Sequence, residues 1–188
     1  MDIRVENLCK SYGNNQVLDQ FSCVFKEKKT TCIMGKSGVG KTTLLSILLG
    51  MEKADSGTID GLQGKKISAV FQENRLFENL DAVTNIRITT GKTKEEIIPL
   101  LKKMDLPEAD EKPVREYSGG MKRRAAIARA LLADYDLLLM DEPLKGLDEA
   151  TKNKVAEVIK RKTFDKTVIF VTHEKSECEF FGAECIHI

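Results

Sequence analysis

Apolar residues along this chain fall into short runs rich in β-branched side chains, separated by stretches of helical period. Residues 2–8 and 17–26 read as two strands joined by a turn at Gly13-Asn14-Asn15. Four shorter apolar runs follow, at 31–34, 67–71, 137–140 and 168–172. Helical periodicity predicts helices at about 41–49, 94–104, 119–133 and 149–161. Continuous apolar strands alternating with helices specify a mostly parallel sheet buried on both faces. Thr93 with Glu96 makes a capping box for the second helix, and Ser118 suits the N-cap of the third. Between Gln72 and Ser118 the periodicity changes and three of the four prolines appear (Pro99, Pro107, Pro113), so that stretch reads as a small helical subdomain inserted into an α/β core. The expected organisation is one domain over residues 1–188, with a core of 1–72 and 134–188, an N-terminal antiparallel β subdomain, and a helical subdomain at about 73–133.

Composition narrows the function classes. The chain has 188 residues, 41% of them hydrophobic, enough for one sizeable core. Lys and Arg number 30 against 29 Asp and Glu, a net charge of +1 that gives no electrostatic reason to expect a nucleic-acid partner. No apolar h-region follows the N-terminus, so no secretory signal is read there. The most apolar stretch, residues 44–51, is broken by Ser46 and Gly50 and falls short of the roughly 18 residues of a spanning helix. The five cysteines are an odd count without a C-x-x-C pair, which argues against a disulfide framework and a zinc site and predicts reduced thiols in a cytoplasmic protein.

Candidate chemistry concentrates at strand ends. Gly35-Lys36-Ser37-Gly38-Val39-Gly40-Lys41-Thr42-Thr43 fits G-x-x-x-x-G-K-[ST] between an apolar strand and a helix. Its glycines let backbone N–H groups curl round a phosphate and the helix N-terminus adds its dipole. Lys41 reaches the β- and γ-phosphates, and Thr42 offers a hydroxyl to Mg²⁺. The run Leu137-Leu138-Leu139-Met140 delivers Asp141, suited to Mg²⁺, and Glu142, suited to polarising an attacking water. Two further strands run into Gln72 and His173, and in an open parallel sheet ligands gather outside the carboxyl ends of the strands. Gly35, Gln72, Asp141, Glu142 and His173 are therefore expected to converge, with His173 at the γ-phosphate. Ser118-Gly119-Gly120 opens a helix with a hydroxyl and unobstructed N–H groups, a second anion site.

Together these motifs resemble, end to end, the nucleotide-binding domain of the ATP-binding-cassette (ABC) ATPases, a P-loop NTPase fold. Residues 35–43 match Walker A, Gln72 the Q-loop, Ser118-Gly119-Gly120 the signature, Asp141-Glu142 Walker B, Lys145-Gly146-Leu147-Asp148 the D-loop and His173 the switch histidine. The resemblance implies ATP and Mg²⁺ as cofactors, with Tyr12 stacking on adenine and Thr42, Gln72 and Asp141 at the metal. It implies Glu142, His173, Gln72 and Lys41 as the catalytic set, and Tyr12, residues 35–43, Ser118, Gly119, Gly120 and Asp148 as nucleotide contacts. Because phosphate loop and signature act across a dimer interface in that family, it implies an ATP-dependent homodimer or pseudo-symmetric heterodimer. It also implies an integral membrane permease contacted through the Gln72 loop and a helical segment at about 73–87, and a separate solute-binding protein. The chain would then sit peripherally on the cytoplasmic face of the cell membrane and power solute import.

Ser-Gly-Gly-Met followed by basic residues, with Leu-Leu-Leu-Met-Asp-Glu-Pro, resembles the branch serving nitrate, sulfonate and taurine importers. Tyr117, Met121 and Lys145 depart from the commoner Leu, Gln and Ser, without removing a group assigned to chemistry. The alternative within the family is a non-transport ABC-type ATPase. A P-loop kinase is disfavoured by the Ser118-Gly119-Gly120 helix start and by His173.

Overall fold

A computed structural model describes residues 1–107 and 109–188. In chain order its elements are β1 (Ile3–Tyr12), β2 (Asn15–Phe25), β3 (Thr30–Met34), α1 (Lys41–Leu48), β4 (Ser56–Asp60), β5 (Ile67–Val70), α2 (Ala82–Thr90) and α3 (Lys94–Lys103). A 3₁₀ turn (Val114–Glu116), α4 (Gly119–Leu132), β6 (Leu137–Asp141), α5 (Glu149–Lys162), β7 (Thr167–Val171), α6 (Lys175–Phe181) and β8 (Glu184–His187) complete it. The chain divides into two compact units.

The first unit comprises Met1–Ile67, Asp136–Glu142 and Asp165–Ile188. Its antiparallel sheet has the order β2-β1-β4. Ile3, Val5 and Leu8 of β1 point inward, and a register shift between Val5 and Leu8, with Asn7 at φ +48°, keeps Leu8 on the core side. Its second sheet contains the parallel strands β6-β7-β3-β8 in that order. Every residue of β6 and β7 is buried, which explains their unbroken apolar sequences: helices cover both faces of such a sheet. Three elements of this unit escape the periodicity reading. β4 is five largely exposed residues that become a strand by pairing with β1. α6 is seven residues long, too short for a helical period to register, and β8 is four mostly exposed residues without a continuous apolar run.

The second unit comprises Ser68–Tyr135 and Pro143–Phe164. Ile97, Leu100, Leu101 and Met104 form the i, i+3, i+4, i+7 stripe of α3 and are wholly or almost wholly buried. The capping box is present, with the Thr93 N–H donating to Glu96 Oε2 at 2.8 Å. Pro99, one of the three prolines that mark this stretch, lies inside α3. The helical segment expected at about 73–87 begins only at Ala82. Its sequence, AVTNIRITT, is rich in β-branched residues of weak helix propensity, so burial of Ala82, Val83 and Ile86 and the Asp81 cap on Thr84 N–H hold it instead. Among the described residues no helix is long and apolar enough to cross a membrane.

Candidate functional site

The first unit carries the phosphate loop. Buried β3 leads into Gly35, and Gly38 and Gly40 adopt φ +79° and +105°, conformations that disfavour a side chain. At Gly40 a Cβ would stand 2.3 Å from the Val17 carbonyl oxygen, so space as well as torsion requires glycine. Gly40 is also the N-cap of α1 and offers no side-chain acceptor, which leaves the first N–H groups of the helix for a ligand. Lys41 is buried and its Nζ donates to Gly35 O at 2.9 Å and Lys36 O at 2.7 Å, which folds the ammonium back across the loop. Burial lowers the Lys41 pKa, while the carboxylates of Glu142 and Asp141 act to raise it. An ammonium held in partly desolvated surroundings gains strongly from a polyphosphate.

Next to Lys41, Thr42 Oγ1 donates to Asp141 Oδ2 at 2.7 Å. The last residue of β6 and the second of α1 thus present a hydroxyl and a carboxylate side by side, the hard oxygen donors that Mg²⁺ prefers. One residue on, Glu142 leaves the strand at φ +46° with its N–H bonded to Val171 O at 3.0 Å. A non-glycine residue there carries strain on the order of 1–3 kcal/mol, of the kind that gathers at functional sites. Glu142 Oε1 lies 2.9 Å from His173 Nε2, and the carboxylate side chain is only 12% exposed against 45% for the imidazole. Parallel pairing of β6 with β7, Asp141 opposite Val171, is what brings Asp141, Glu142 and His173 to one edge. Lys36, Ser37 and Gly38 are exposed at the loop tip, Val39 is half-buried, and Thr43 lies on the first turn of α1. Tyr12 ends β1, 49% exposed as a residue, with Lys10 Nζ 5.2 Å from its ring centroid.

The remaining predicted residues belong to the second unit. Gln72 is exposed just beyond β5. Ser118 caps α4, its Oγ accepting from Met121 N–H at 3.2 Å. A Cβ at Gly119 would meet nothing within 4 Å and one at Gly120 only an ordinary contact with Leu147, so local packing does not require glycine at either position. Asp148 caps α5 through Thr151 N–H at 3.0 Å, a bond that holds its carboxyl below the usual carboxylate range.

Three residues that the sequence reading passed over shape this unit. Buried Arg123 donates from Nε to Pro143 O at 2.9 Å and from its terminal nitrogen to the Phe71 carbonyl. Arg129 donates to the carbonyls of Asn74, at 3.1 Å, and Arg75, at 2.6 Å. Fully buried Asn85 accepts from Phe77 N–H at 2.7 Å and donates to Phe77 O and Asp81 O. The segment from Phe71 to Asp81 is thereby a shaped loop whose carbonyls are held by side chains. The only signal for this in the sequence is the basic run that follows Met121.

A glycine loop opening a helix at the end of a parallel strand, a lysine folded across it and a hydroxyl–carboxylate pair beside it define a P-loop nucleoside triphosphatase. The chain belongs to the ABC transporter family, whose model matches residues 18–145, as an ATP-binding and ATP-hydrolysing subunit. It is 34% identical over 188 aligned residues to the lantibiotic transport ATP-binding protein SrtF of Streptococcus pyogenes, covering 94% of this chain and 82% of that protein. It is 33% identical to the probable sulfate/thiosulfate import ATP-binding protein CysA of Chlorella vulgaris, covering 99% of this chain and 86% of the relative. It is also 33% identical to the Fe(3+) ions import ATP-binding protein FbpC of Vibrio cholerae, where 92% of this chain spans about half, 54%, of the relative. A bacterial ABC transporter cassette solved as a dimer superposes with a TM-score of 0.86 at 30% identity, over 99% of this chain and 94% of that one. The fold is thus an ABC cassette, with a parallel sheet, flanking helices and an antiparallel β sheet.

Proposed function

We propose that this chain powers solute import through a separate membrane-spanning permease, by binding ATP and Mg²⁺ between two copies of the cassette and hydrolysing it there. The observation that carries the reading is the cluster at the ends of β3, β6 and β7: Lys41 across the loop, Thr42 bonded to Asp141, and Glu142 bonded to His173. Residues 35–43 cradle the phosphates through backbone N–H groups, and Lys41 exchanges its two loop carbonyls for phosphate oxygens. Thr42 and Asp141 would hold the metal, which would supply charge neutralisation on the phosphates. Glu142, largely shielded from solvent and held at a strained turn, takes the proton of the attacking water. His173, already within hydrogen-bond distance of Glu142, faces the γ-phosphate and keeps the base oriented. Tyr12 stacks on the adenine.

Ser118, Gly119 and Gly120, where packing leaves room for a closely approaching ligand, bind the nucleotide of the opposite copy, with Asp148 at the same interface. The dimeric solved cassette supports that arrangement, as a homodimer or a pseudo-symmetric heterodimer. The Gln72 loop and the helical subdomain contact the permease, which places the chain on the cytoplasmic face of the membrane, with a separate solute-binding protein completing the importer. Import is supported by the names of the iron and sulfate relatives.

Glu142→Gln tests the site. It keeps the shape of the side chain and removes its basicity, so the variant should bind ATP normally, hydrolyse it at least about a hundredfold more slowly, and accumulate as an ATP-bound dimer on size exclusion. Hydrolysis at the parent rate would remove Glu142 as the base. Lys41→Ala should lose ATP binding, and unchanged affinity would remove the phosphate loop assignment.

A further inference from the structure

The cysteine spacing along the chain argues against a metal site, but the fold of the first unit gathers three of the five. Cys32 lies on β3, Cys178 on α6 and Cys185 on β8, and their sulfur atoms all lie within 4.8 Å of one another. The parallel register places Cys32 directly beside Cys185. α6 is fixed over these strands by the edge-to-face contact of Phe181 with Phe170 of β7, ring centroids 5.3 Å apart, which brings Cys178 to the same place. His187, two residues beyond Cys185 and so on the same face of β8, has its Nε2 4.0 Å from Cys185 Sγ.

We propose that Cys32, Cys178 and Cys185 form a binding site for one soft, thiophilic metal ion of the Cu(I) or Zn(II) class. Three thiolates bonded to a single ion at about 2.3 Å stand about 3.8–4.0 Å apart, and a thiolate and an imidazole sharing that ion stand about 3.6 Å apart. The sulfurs are already within about 1 Å of such spacing, and the Cys185–His187 pair is within about 0.5 Å of its own, which small side-chain rotations supply. Packing of cysteine as a small apolar residue accounts for Cys32 and Cys178, which are buried, but not for Cys185, which is exposed and opens the cluster to solvent. The donor set selects the ion: thiolates favour soft cations over Mg²⁺, so this site is chemically separate from the phosphate loop that follows β3. Three thiolates alone suit three-coordinate Cu(I), and His187 as a fourth donor completes the tetrahedron of Zn(II). Binding replaces S–H bonds by S–metal bonds, releases those protons to solvent and transfers no electron.

The test is titration of the full chain, purified reduced and metal-free, with buffered Zn(II), buffered Cu(I), and Cd(II) as an absorption probe of sulfur-to-metal charge transfer. One equivalent per chain is expected, with a rise in melting temperature. Cys185→Ser alters only an exposed edge-strand side chain and should raise the Kd at least about tenfold. The Cys32/Cys178/Cys185→Ser variant should bind none, and the Cys9/Cys23→Ser control should bind as the parent does. His187→Ala should weaken Zn(II) and leave Cu(I) unchanged; weakening of neither ion assigns the site to the three thiolates alone. Binding that is substoichiometric, that survives Cys185→Ser unchanged, or that is lost in the Cys9/Cys23→Ser control overturns the proposal.

Discussion

Replacing Arg123 by methionine is the sharpest structural perturbation available. The methionine keeps most of the apolar stem but removes the guanidinium of a residue that is only 5% exposed, a group that ties two separate loops together. Two of its bonds are firm, to Pro143 O at 2.9 Å and to the Phe71 carbonyl, whereas those to Gln72 O at 3.4 Å and Asn74 Oδ1 at 3.5 Å contribute little. A hydrogen bond from a charged donor contributes roughly 1.5–3 kcal/mol. Two of them set the expected loss at about 3–5 kcal/mol, allowing for partial rehydration of the freed carbonyls. That is a large fraction of the 5–15 kcal/mol typical of a domain. Arg123→Lys, whose ammonium can serve one loop but not fork between two, should lose roughly half as much. Urea denaturation followed by circular dichroism measures both, with the slope m confirming that the same surface is exposed in each variant. If Arg123→Met unfolded within about 1 kcal/mol of the parent at unchanged m, the guanidinium would not be a clasp between the two loops.

Other outcomes follow from the same contacts. Gly40→Ala must place a Cβ against the Val17 carbonyl at φ +105°, so ATP binding should be lost and the melting temperature should fall, whereas Gly38→Ala, with nothing within 4 Å, should lose about 1 kcal/mol from torsional strain alone. Calorimetric ATP binding and thermal melts separate the two variants. Ser118→Ala removes the cap bond to Met121 N–H and should cost about 1 kcal/mol of stability while abolishing the ATP-bound dimer that Glu142→Gln accumulates. The Thr93 N–H and then Lys92 hold the Glu96 carboxyl below its ordinary value of 4.5. Its contribution to stability is therefore complete above that pH and is lost as pH falls through the lower folded value. Glu96→Gln should flatten the acid limb of a stability–pH profile, and an unchanged limb would contradict the capping assignment.

Much of the fold was legible because its signals are local. Continuous apolar strands announced the parallel sheet, the stripe of Ile97, Leu100, Leu101 and Met104 announced α3, and Thr93 with Glu96 marked its start. α2 was not legible in place, because its β-branched sequence has little intrinsic preference for helix and only burial against its neighbours supplies one. β4 and β8 were silent because their mostly exposed sequences carry no continuous apolar run, so pairing with a neighbour is what makes them strands. In the site, residues 35–43, Asp141, Glu142 and His173 were each readable as the polar end of an apolar run. Arg123, Arg129 and Asn85 were not, since nothing local marks a surface-type residue as a buried donor to carbonyls far along the chain.

By itself, the sequence determined the chemistry of the phosphate loop and the order of strand ends that carry it. Glycine torsions, helix caps and apolar periodicity depend on neighbours a few residues away. Tertiary structure alone decided that Glu142 leaves β6 in a strained turn facing His173, that Arg123 closes two loops, and that Cys32, Cys178 and Cys185 meet. Those arrangements depend on strand order and helix packing, which bring together residues from 20 to about 150 positions apart, and a one-dimensional spacing such as C-x-x-C carries no record of such approaches.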